Sequence, residues 1–410
     1  MLTEGDFKFQ HLETEDDIAQ HLELMRKVFG QDGRIDVQVR KWIDHHPKML
    51  LKDFFTIKHR GQIVAGFNAI PSEWSVGGIP IKVAELGCVA TLPEYRHQGL
   101  QRRLMEEYHK QISDQGYDLS AIEGIPFYYR QFGYEYALPL QEETRLKLDQ
   151  IPDFEIKHKI RPFTKADVPR ATQLLSQAQQ KFHVHTIREE GIWKMQQETG
   201  MIAEYKFEGY AVEESGEMIA YFIVSANPQG KELLLREITG IDADTARSIL
   251  KFLKDRGKRD GLETLLATIS YYEPFATQMA AIGGTMNPPY AWQIRAMDYA
   301  KLLWKLEPLL DKRLAESMFR HLTEKLNFNF YSHIVQITVE NGFVADVKRV
   351  ETDEDRSIRF NPLVFIQLLL GYRNREELQA IYPDFLVRTT RRHLIDVLFP
   401  KLPSYIHTEY

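Results

Sequence analysis

Glu85-Leu-Gly-Cys-Val-Ala-Thr-Leu-Pro-Glu-Tyr-Arg-His-Gln-Gly-Leu-Gln-Arg-Arg-Leu-Met105 reads as a buried strand that passes through a short, basic, glycine-containing loop into a helix. The first N–H groups of a helix have no intrahelical partner and carry the positive end of its dipole. A loop that aims them outward is therefore a pyrophosphate cradle. Gly99 admits the ligand close to the backbone, and Arg96, His97, Arg102 and Arg103 surround it with cationic or protonatable groups. The spacing is neither G-x-x-x-x-G-K-[ST] nor G-x-G-x-x-G, so neither a nucleotide P-loop nor a dinucleotide fold is indicated.

Arg96-x-x-Gly99-x-Gln101 resembles the [RQ]-x-x-G-x-[GA] acyl-CoA loop of the GNAT N-acetyltransferases, after a strand that ends Val89-x-x-x-Pro93-x-Tyr95-Arg96. Gln101 departs from the small residue usual at the last position. Downstream, Gly124-Ile-Pro-Phe-Tyr-Tyr-Arg-Gln-Phe-Gly-Tyr134 is similar to the G-x-P-x-Y-Y-x-x-F-G-[FY] segment that closes many GNAT domains. Read without the resemblance, Phe127, Tyr128, Phe132 and Tyr134 are equally an aromatic core segment. The resemblance implies acetyl-CoA as co-substrate. It implies contacts from the backbone of Val89, Ala90 and Thr91, and from Arg96, His97, Gln98, Gly99, Leu100, Gln101 and Arg102. It also implies that Tyr129 points at the thioester sulfur.

Composition fits a folded enzyme. Hydrophobic residues make up 43% of the 410 and charged ones 27%, which supplies core material and gives no sign of disorder. At about 150 residues per domain, the length suggests roughly three domains. A net charge of −6 argues against nucleic acid as main partner and suits a cationic amine. Cys88, the single cysteine, excludes an intramolecular disulfide and reads as packing rather than as a reactive thiol. No secretory signal opens the sequence and no run approaches the ~18 apolar residues of a membrane helix, so a cytoplasmic protein without membrane partner is expected. His45-His46 and His183-x-His185 lack convincing ligand spacing, and no metal is expected.

The chain contains a faint copy of its own beginning. Phe7 to Ile18 and Lys159 to Val168 each read as a strand, a Thr cap and a helix. Gly61-Gln-Ile-Val-Ala-Gly-Phe67 matches Gly216-Glu-Met-Ile-Ala-Tyr-Phe222, and Glu85-Leu86 has a counterpart in Glu237-Ile238. After Gly240, however, the copy runs into helix without a basic loop, so it is not expected to bind CoA. Tyr271-Tyr272-Glu-Pro-Phe275 before Gly283-Gly284 reads as a remnant of the closing segment. From Ala291 the texture changes to a strand, an amphipathic helix, a hairpin at Glu340-Asn341-Gly342 and further helices.

This order resembles the Eis (enhanced intracellular survival) branch of GNAT proteins. The resemblance implies an α/β (α+β) chain of tandem mixed-sheet GNAT domains, the catalytic one at 1–150 and a degenerate one at 151–290. A sterol-carrier-like domain would occupy 291–410. That last fold can hold apolar ligands, though a structural role is expected. The resemblance further implies a homo-oligomer, with a hexamer as one assembly. In that branch a C-terminal aromatic residue brings its α-carboxylate to the first active site beside a penultimate glutamate, a pattern Glu409-Tyr410 fits where Tyr410 ends the chain.

Acyl transfer to an amine needs a base, because an alkyl ammonium with a reference pKa of about 10.4 must lose a proton before it attacks. The Tyr410 carboxylate is the first candidate and Glu85 the second. The Tyr129 hydroxyl is the candidate donor to the departing thiolate. Asp32, Glu409 and an apolar wall at Trp42 are the candidates for amine recognition. The expected activity is N-acetylation of a primary amine, on a polyamine, an aminoglycoside-like molecule or a lysine side chain, by direct transfer. The alternative is a non-catalytic acyl-CoA or lipid-binding sensor, and a transferase of longer acyl chains is a third reading.

Overall fold

The computed structural model describes residues 7–30, 34–227, 229–353 and 355–407. Strand β1 (Phe7–His11) leads to helix α1 (Glu15–Phe29), whose start is closed by a capping box. There the Asp17 N–H donates to Thr14 Oγ1 at 3.1 Å while the Thr14 N–H donates to Asp17 Oδ2 at 3.0 Å. Helix α2 (Ile35–His45) precedes strands β2 (Phe54–His59), β3 (Gln62–Val76) and β4 (Ile79–Thr91). Arg60-Gly61, at φ 50° and 84°, makes the two-residue turn between β2 and β3, the conformation whose twist matches paired strands. Helix α3 (Leu100–Asp114) crosses from β4 to its parallel neighbour β5 (Leu119–Ile122), and β6 (Glu135–Leu140) follows. Phe54, Phe55, Ile57, Phe67, Leu104 and Tyr108 fill the space between sheet and helices.

A second sheet repeats the plan. Its strands are β7 (Glu143–Lys147), β8 (Lys159–Pro162), β12 (Glu208–Glu214), β13 (Glu217–Asn227), β14 (Glu232–Thr239), β15 (Thr264–Thr268) and β16 (Thr285–Met286). Between them lie helix α4 (Val168–Gln179), strand β9 (Val184–Thr186), helix α5 (Glu190–Thr199) and the small hairpin β10 (Met201–Ile202) and β11 (Tyr205–Lys206). Helix α6 (Ala243–Arg259) crosses from β14 to the parallel β15. The copy is faithful in detail: Ser215-Gly216 turns at φ 51° and 86°, and the Thr164 N–H donates to Asp167 Oδ2 at 2.7 Å.

The two sheets exchange a strand. Their orders are β1-β2-β3-β4-β5-β17-β6 and β8-β12-β13-β14-β15-β7-β16, where β17 is Tyr290–Ala296. Thus β7, on the first side of the expected boundary at 150, is inserted between β15 and β16. Likewise β17, expected at the opening of the third region, is inserted between β5 and β6. Alternating strands announce themselves in sequence, but which sheet buries them is decided by tertiary pairing.

The third region carries strands β18 (Glu324–Asn329), β19 (Ile334–Glu340), β20 (Phe343–Val350), β21 (Ile358–Arg359) and β22 (Leu386–Val387) in the order β20-β19-β18-β21-β22. Its interior is packed with aromatic rings, among them Phe360 and Phe365 at 4.7 Å and Phe365 and Phe399 at 5.6 Å. That core is continuous with Trp74, Val83, Leu119 and Ile294 at the base of the first sheet. The expected class, α/β with mixed sheets, is what the chain forms. No helix among the described residues is long and apolar enough to cross a membrane.

Candidate active site

Strands β4 and β5 pair only over Val83–Glu85 with Leu119–Ala121. Beyond Glu85 they part, and β4 bulges where Asn68 pairs with Gly87 but Gly66 with Ala90, leaving Cys88 at φ 54° without a counterpart on β3. The edge of β4 facing β5 is thereby opened. After a short turn at Pro93–Tyr95, the chain passes His97 at φ 63° and Gly99 at φ 75° into α3. No side chain caps that helix, so its first N–H groups remain available to an anion.

Gln101, the departure from the expected loop pattern, has a local task. Its Nε2 donates to the Ala90 carbonyl at 2.8 Å and to Thr91 Oγ1 at 2.9 Å, which ties the loop to the end of β4. Arg102 donates to Gln131 Oε1 at 2.9 Å and lies over the Phe132 ring at 5.5 Å, and Arg96 reaches the Thr91 carbonyl at 3.4 Å.

Tyr129 sits in the turn at Tyr128–Phe132, 5% exposed. A Cβ on Gly124 would lie 2.4 Å from the Tyr129 ring, so glycine is needed for the ring to lie there. Tyr134, 6.0 Å from Tyr129, is held by a chain of hydroxyls: Ser120 Oγ at 2.7 Å, Tyr108 beyond it at 2.7 Å, and the Ala84 carbonyl accepting from Tyr108 at 3.0 Å. Burial pushes the Tyr129 hydroxyl well above its ordinary range, with Tyr128 and Tyr134 adding to it. The phenol is thus fully protonated at neutral pH and is a donor.

A single cleft of about 1020 Å³ joins these parts. Val89, Thr91 and all seven loop positions from Arg96 to Arg102 line it, as do Tyr129, Glu85 and Trp42. Ala90 does not; its side chain, 1% exposed, lies in the core, and its carbonyl accepts from Gln101. Asp32, Glu409 and Tyr410 lie outside the described residues. Glu85 is buried on β4 rather than at a surface or in a loop. Burial, with Glu85 close by, pushes the Cys88 thiol far up, so at the cleft wall it stays a neutral thiol.

Sequence reasoning missed the opposite wall. Glu123, one residue beyond β5, opens onto the cleft while the walls crowd it. Burial and the charge of Glu204 push its carboxyl up to about 7, against the pull of Arg236. Glu204 stands at the turn of the β10–β11 hairpin, and Arg236 lies over the neighbouring Tyr205 ring at 3.8 Å. Buried Lys41 donates to the Ala203 carbonyl at 2.8 Å and fixes this hairpin against α2. Burial lowers that ammonium to about 8, and Glu204 opposes the shift. A carboxylate one residue past a strand, just before the closing motif, is a signal that was available for Glu123. Glu204 has none, because its place depends on a contact from helix α2, distant in sequence. No cluster of three or more His, Cys, Asp or Glu suited to a metal occurs among the described residues.

The site is thus a cleft with a cationic, N–H-rich end, an opened strand edge in the middle, a phenol donor and a wall of carboxylates. Residues 11–137 match the model of the acetyltransferase (GNAT) domain. No curated protein matches the sequence. Among solved structures, a GCN5-related N-acetyltransferase from Anabaena variabilis superposes with a TM-score of 0.75 at 17% identity, over 98% of this chain and 99% of that one. One from Kribbella flavida gives 0.72 at 15% identity over 98% and 99%, and Eis1 from Mycobacterium abscessus 0.67 at 12% over 98% and 100%. Residues 11–137 form an acetyltransferase domain with acetyl-CoA as co-substrate.

Proposed function

We propose that this acetyltransferase moves the acetyl group of acetyl-CoA directly to a primary amine, on a small molecule or a lysine side chain. The observation that carries the reading is the single cleft in which the open N-terminus of α3, the parted edge of β4 and the Tyr129 hydroxyl meet Glu85 and Glu123. The pyrophosphate lies on the backbone of residues 96–102, aided by Arg96 and Arg102. The pantetheine follows β4 from Thr91 toward Cys88, and its thioester carbonyl is polarised by an N–H at the bulge.

A carboxylate takes one proton from the bound ammonium, directly or through one water. In this reading the base is the carboxylate of Tyr410, with Glu85 second; Asp32, Glu409 and the Trp42 wall receive the acceptor. The amine nitrogen adds to the carbonyl carbon to form the C–N bond, the C–S bond breaks, and the nitrogen, still carrying one surplus proton, releases it to solvent as the neutral amide forms. Tyr129 donates its hydrogen to the departing sulfur as the negative charge develops there and recovers a proton from the protonated base. Alignment of amine and thioester in a cleft that excludes bulk water supplies much of the rate.

The likeness over nearly the whole chain supports an Eis-type arrangement in three parts, a catalytic one, a silent copy and a sterol-carrier-like third region. Phe360, Phe365 and Phe399 packed together inside that region favour a scaffold over a lipid carrier. A homo-oligomer working in the cytoplasm completes the reading.

Thiol release from acetyl-CoA, followed with polyamines, aminoglycosides and lysine peptides, tests it. Turnover with an amine should fall roughly 10²–10⁴-fold in Tyr129→Phe, the range expected when a proton-transfer group is removed. It should also fall sharply in a chain shortened by Tyr410. Acetyl-CoA binding without turnover on the whole panel would replace the enzyme by a sensor, and turnover indifferent to Tyr410 would move the base to Glu85.

A further inference from the structure

The hydroxyls behind Tyr129 form a chain with one direction. Tyr108, on α3, donates its only hydroxyl proton to the Ala84 carbonyl at 3.0 Å, and a carbonyl can only accept. Tyr108 must then accept from Ser120 Oγ at 2.7 Å, and Ser120 from the Tyr134 hydroxyl at 2.7 Å. Tyr134 is left to accept from His109 Nε2 at 3.1 Å, which assigns the ring proton to that nitrogen. Burial and the Arg295 guanidinium push His109 down to about 3, so it enters the chain as a neutral donor. Tyr108, Ser120 and Tyr134 are wholly buried.

The chain ends at two parts of the site. Ala84 and Ser120 are paired one step before β4 and β5 part beyond Glu85, so the Tyr108 hydroxyl is fastened at the root of the opened edge. At the other end the Tyr134 N–H donates to the Tyr129 carbonyl at 3.3 Å, and its ring meets the Tyr129 ring edge-on at 6.0 Å.

The second sheet closes without any of this. On the face turned to the crossing helix, the pair Ala84 and Ser120 corresponds to Leu235 and Ala267, which lie in an apolar core with Leu250 and Leu253 of α6. Packing a helix on this kind of sheet therefore needs no hydroxyls. Burying three of them costs desolvation that their hydrogen bonds do little more than offset. What a fully bonded chain adds is one fixed arrangement.

We propose that Tyr108, Ser120 and Tyr134 are positioning residues that hold the Tyr129 phenol at a set place against the parted edge of β4, where the thioester sulfur arrives. The inference rests on the reading in which Tyr129 donates to that sulfur. A donor misplaced by a fraction of a bond length serves the departing thiolate poorly, while acetyl-CoA, held by the loop and the strand edge, still binds.

The test uses the full chain with Ser120→Ala, which gives the first sheet the residue the second carries, and with Tyr134→Phe as a second variant, each alone and in the Tyr129→Phe background. Each single variant is expected to lower kcat about tenfold while KM for acetyl-CoA stays within twofold, and to change kcat less than twofold once the Tyr129 hydroxyl is absent. Calorimetric titration with acetyl-CoA should give the parent's stoichiometry in every variant. A loss of kcat matched by a fall in stoichiometry would overturn the proposal, as would equal losses with and without the Tyr129 hydroxyl. So would kcat within twofold of the parent in both variants beside an impaired Tyr129→Phe, which leaves the donor reading standing. Full activity of Tyr129→Phe would overturn the donor reading and this proposal together.

Discussion

Helix α3 of the first sheet starts at Gly99 with no side chain on its free N–H groups, whereas helix α6 of the second starts at Asp242, whose carboxylate accepts from the Thr245 N–H at 2.7 Å. Both helices follow the central strand of their sheet and cross to a parallel neighbour. One start is left open and ringed by arginines; the other is satisfied by its own anion, which would repel a pyrophosphate. The acids differ as well. Glu85 faces the cleft from β4, while Glu237 on β14 is clamped by Arg188, both side chains at most 2% exposed. A few local residues thus set the two helix starts apart on sheets of the same plan.

The largest effect should come from breaking the second sheet's clamp. Arg188→Leu leaves Glu237 buried with its charge uncompensated and should lower stability by about 3–5 kcal/mol in denaturant unfolding. A loss below ~1 kcal/mol would show that the pair is not a structural core element. Next comes a graft of the second sheet's character onto the first. Gly99→Asp should raise KM for acetyl-CoA about 10–100-fold, near 1.4 kcal/mol per factor of ten, while the uncharged Gly99→Asn changes it far less. Equal effects of the two variants would assign the loop's tolerance to shape instead of charge. The converse change, Asp242→Ala, should cost about 1 kcal/mol of stability through the lost cap and leave KM untouched.

The smallest effect is one of slope. Burial raises the Glu123 carboxyl to about 7, so its protonated form is the one the fold prefers. That contribution is complete below the unfolded carboxyl value and fades as pH rises through about 7. Glu237 behaves oppositely. Burial raises its pKa, but Arg188 and the Tyr221 hydroxyl outweigh this and lower it overall, so its contribution is present above the unfolded value and fades on acidification. Plots of Tm against pH should therefore show Glu123→Gln gaining on the parent between pH 5 and 8, and the deficit of Glu237→Gln shrinking below about pH 4. Parallel curves for both variants would remove this contrast.

What was legible in the sequence was local. The capping boxes at Thr14 and Thr164, the turns at Arg60-Gly61 and Ser215-Gly216 and the loop from Arg96 to Arg102 each depend on neighbours a few residues away. The α/β class came with the family resemblance that this loop and the closing segment carry. Gln101 looked like a flaw because its partners, the Ala90 carbonyl and Thr91 Oγ1, appear only when strand and helix are in place. Glu204 and Lys41 were invisible as parts of the site for the same reason, since each is placed by a contact from another sheet or helix. The strand exchange lay further out of reach: Glu143–Lys147 and Tyr290–Ala296 are strands by their own residues, and nothing in those residues names the partner.

That exchange governs the order in which the chain can become a catalyst. As synthesis proceeds from the N-terminus, β5 and β6 emerge early, yet the strand that joins them is not made until Tyr290–Ala296. Until then both present bare edges, open to pairing with other chains. The nascent cleft must wait for the whole second sheet, and closing so distant a contact is slow. The second sheet therefore cannot be removed without opening the first, because the first closes only with the strand that follows the second in the chain.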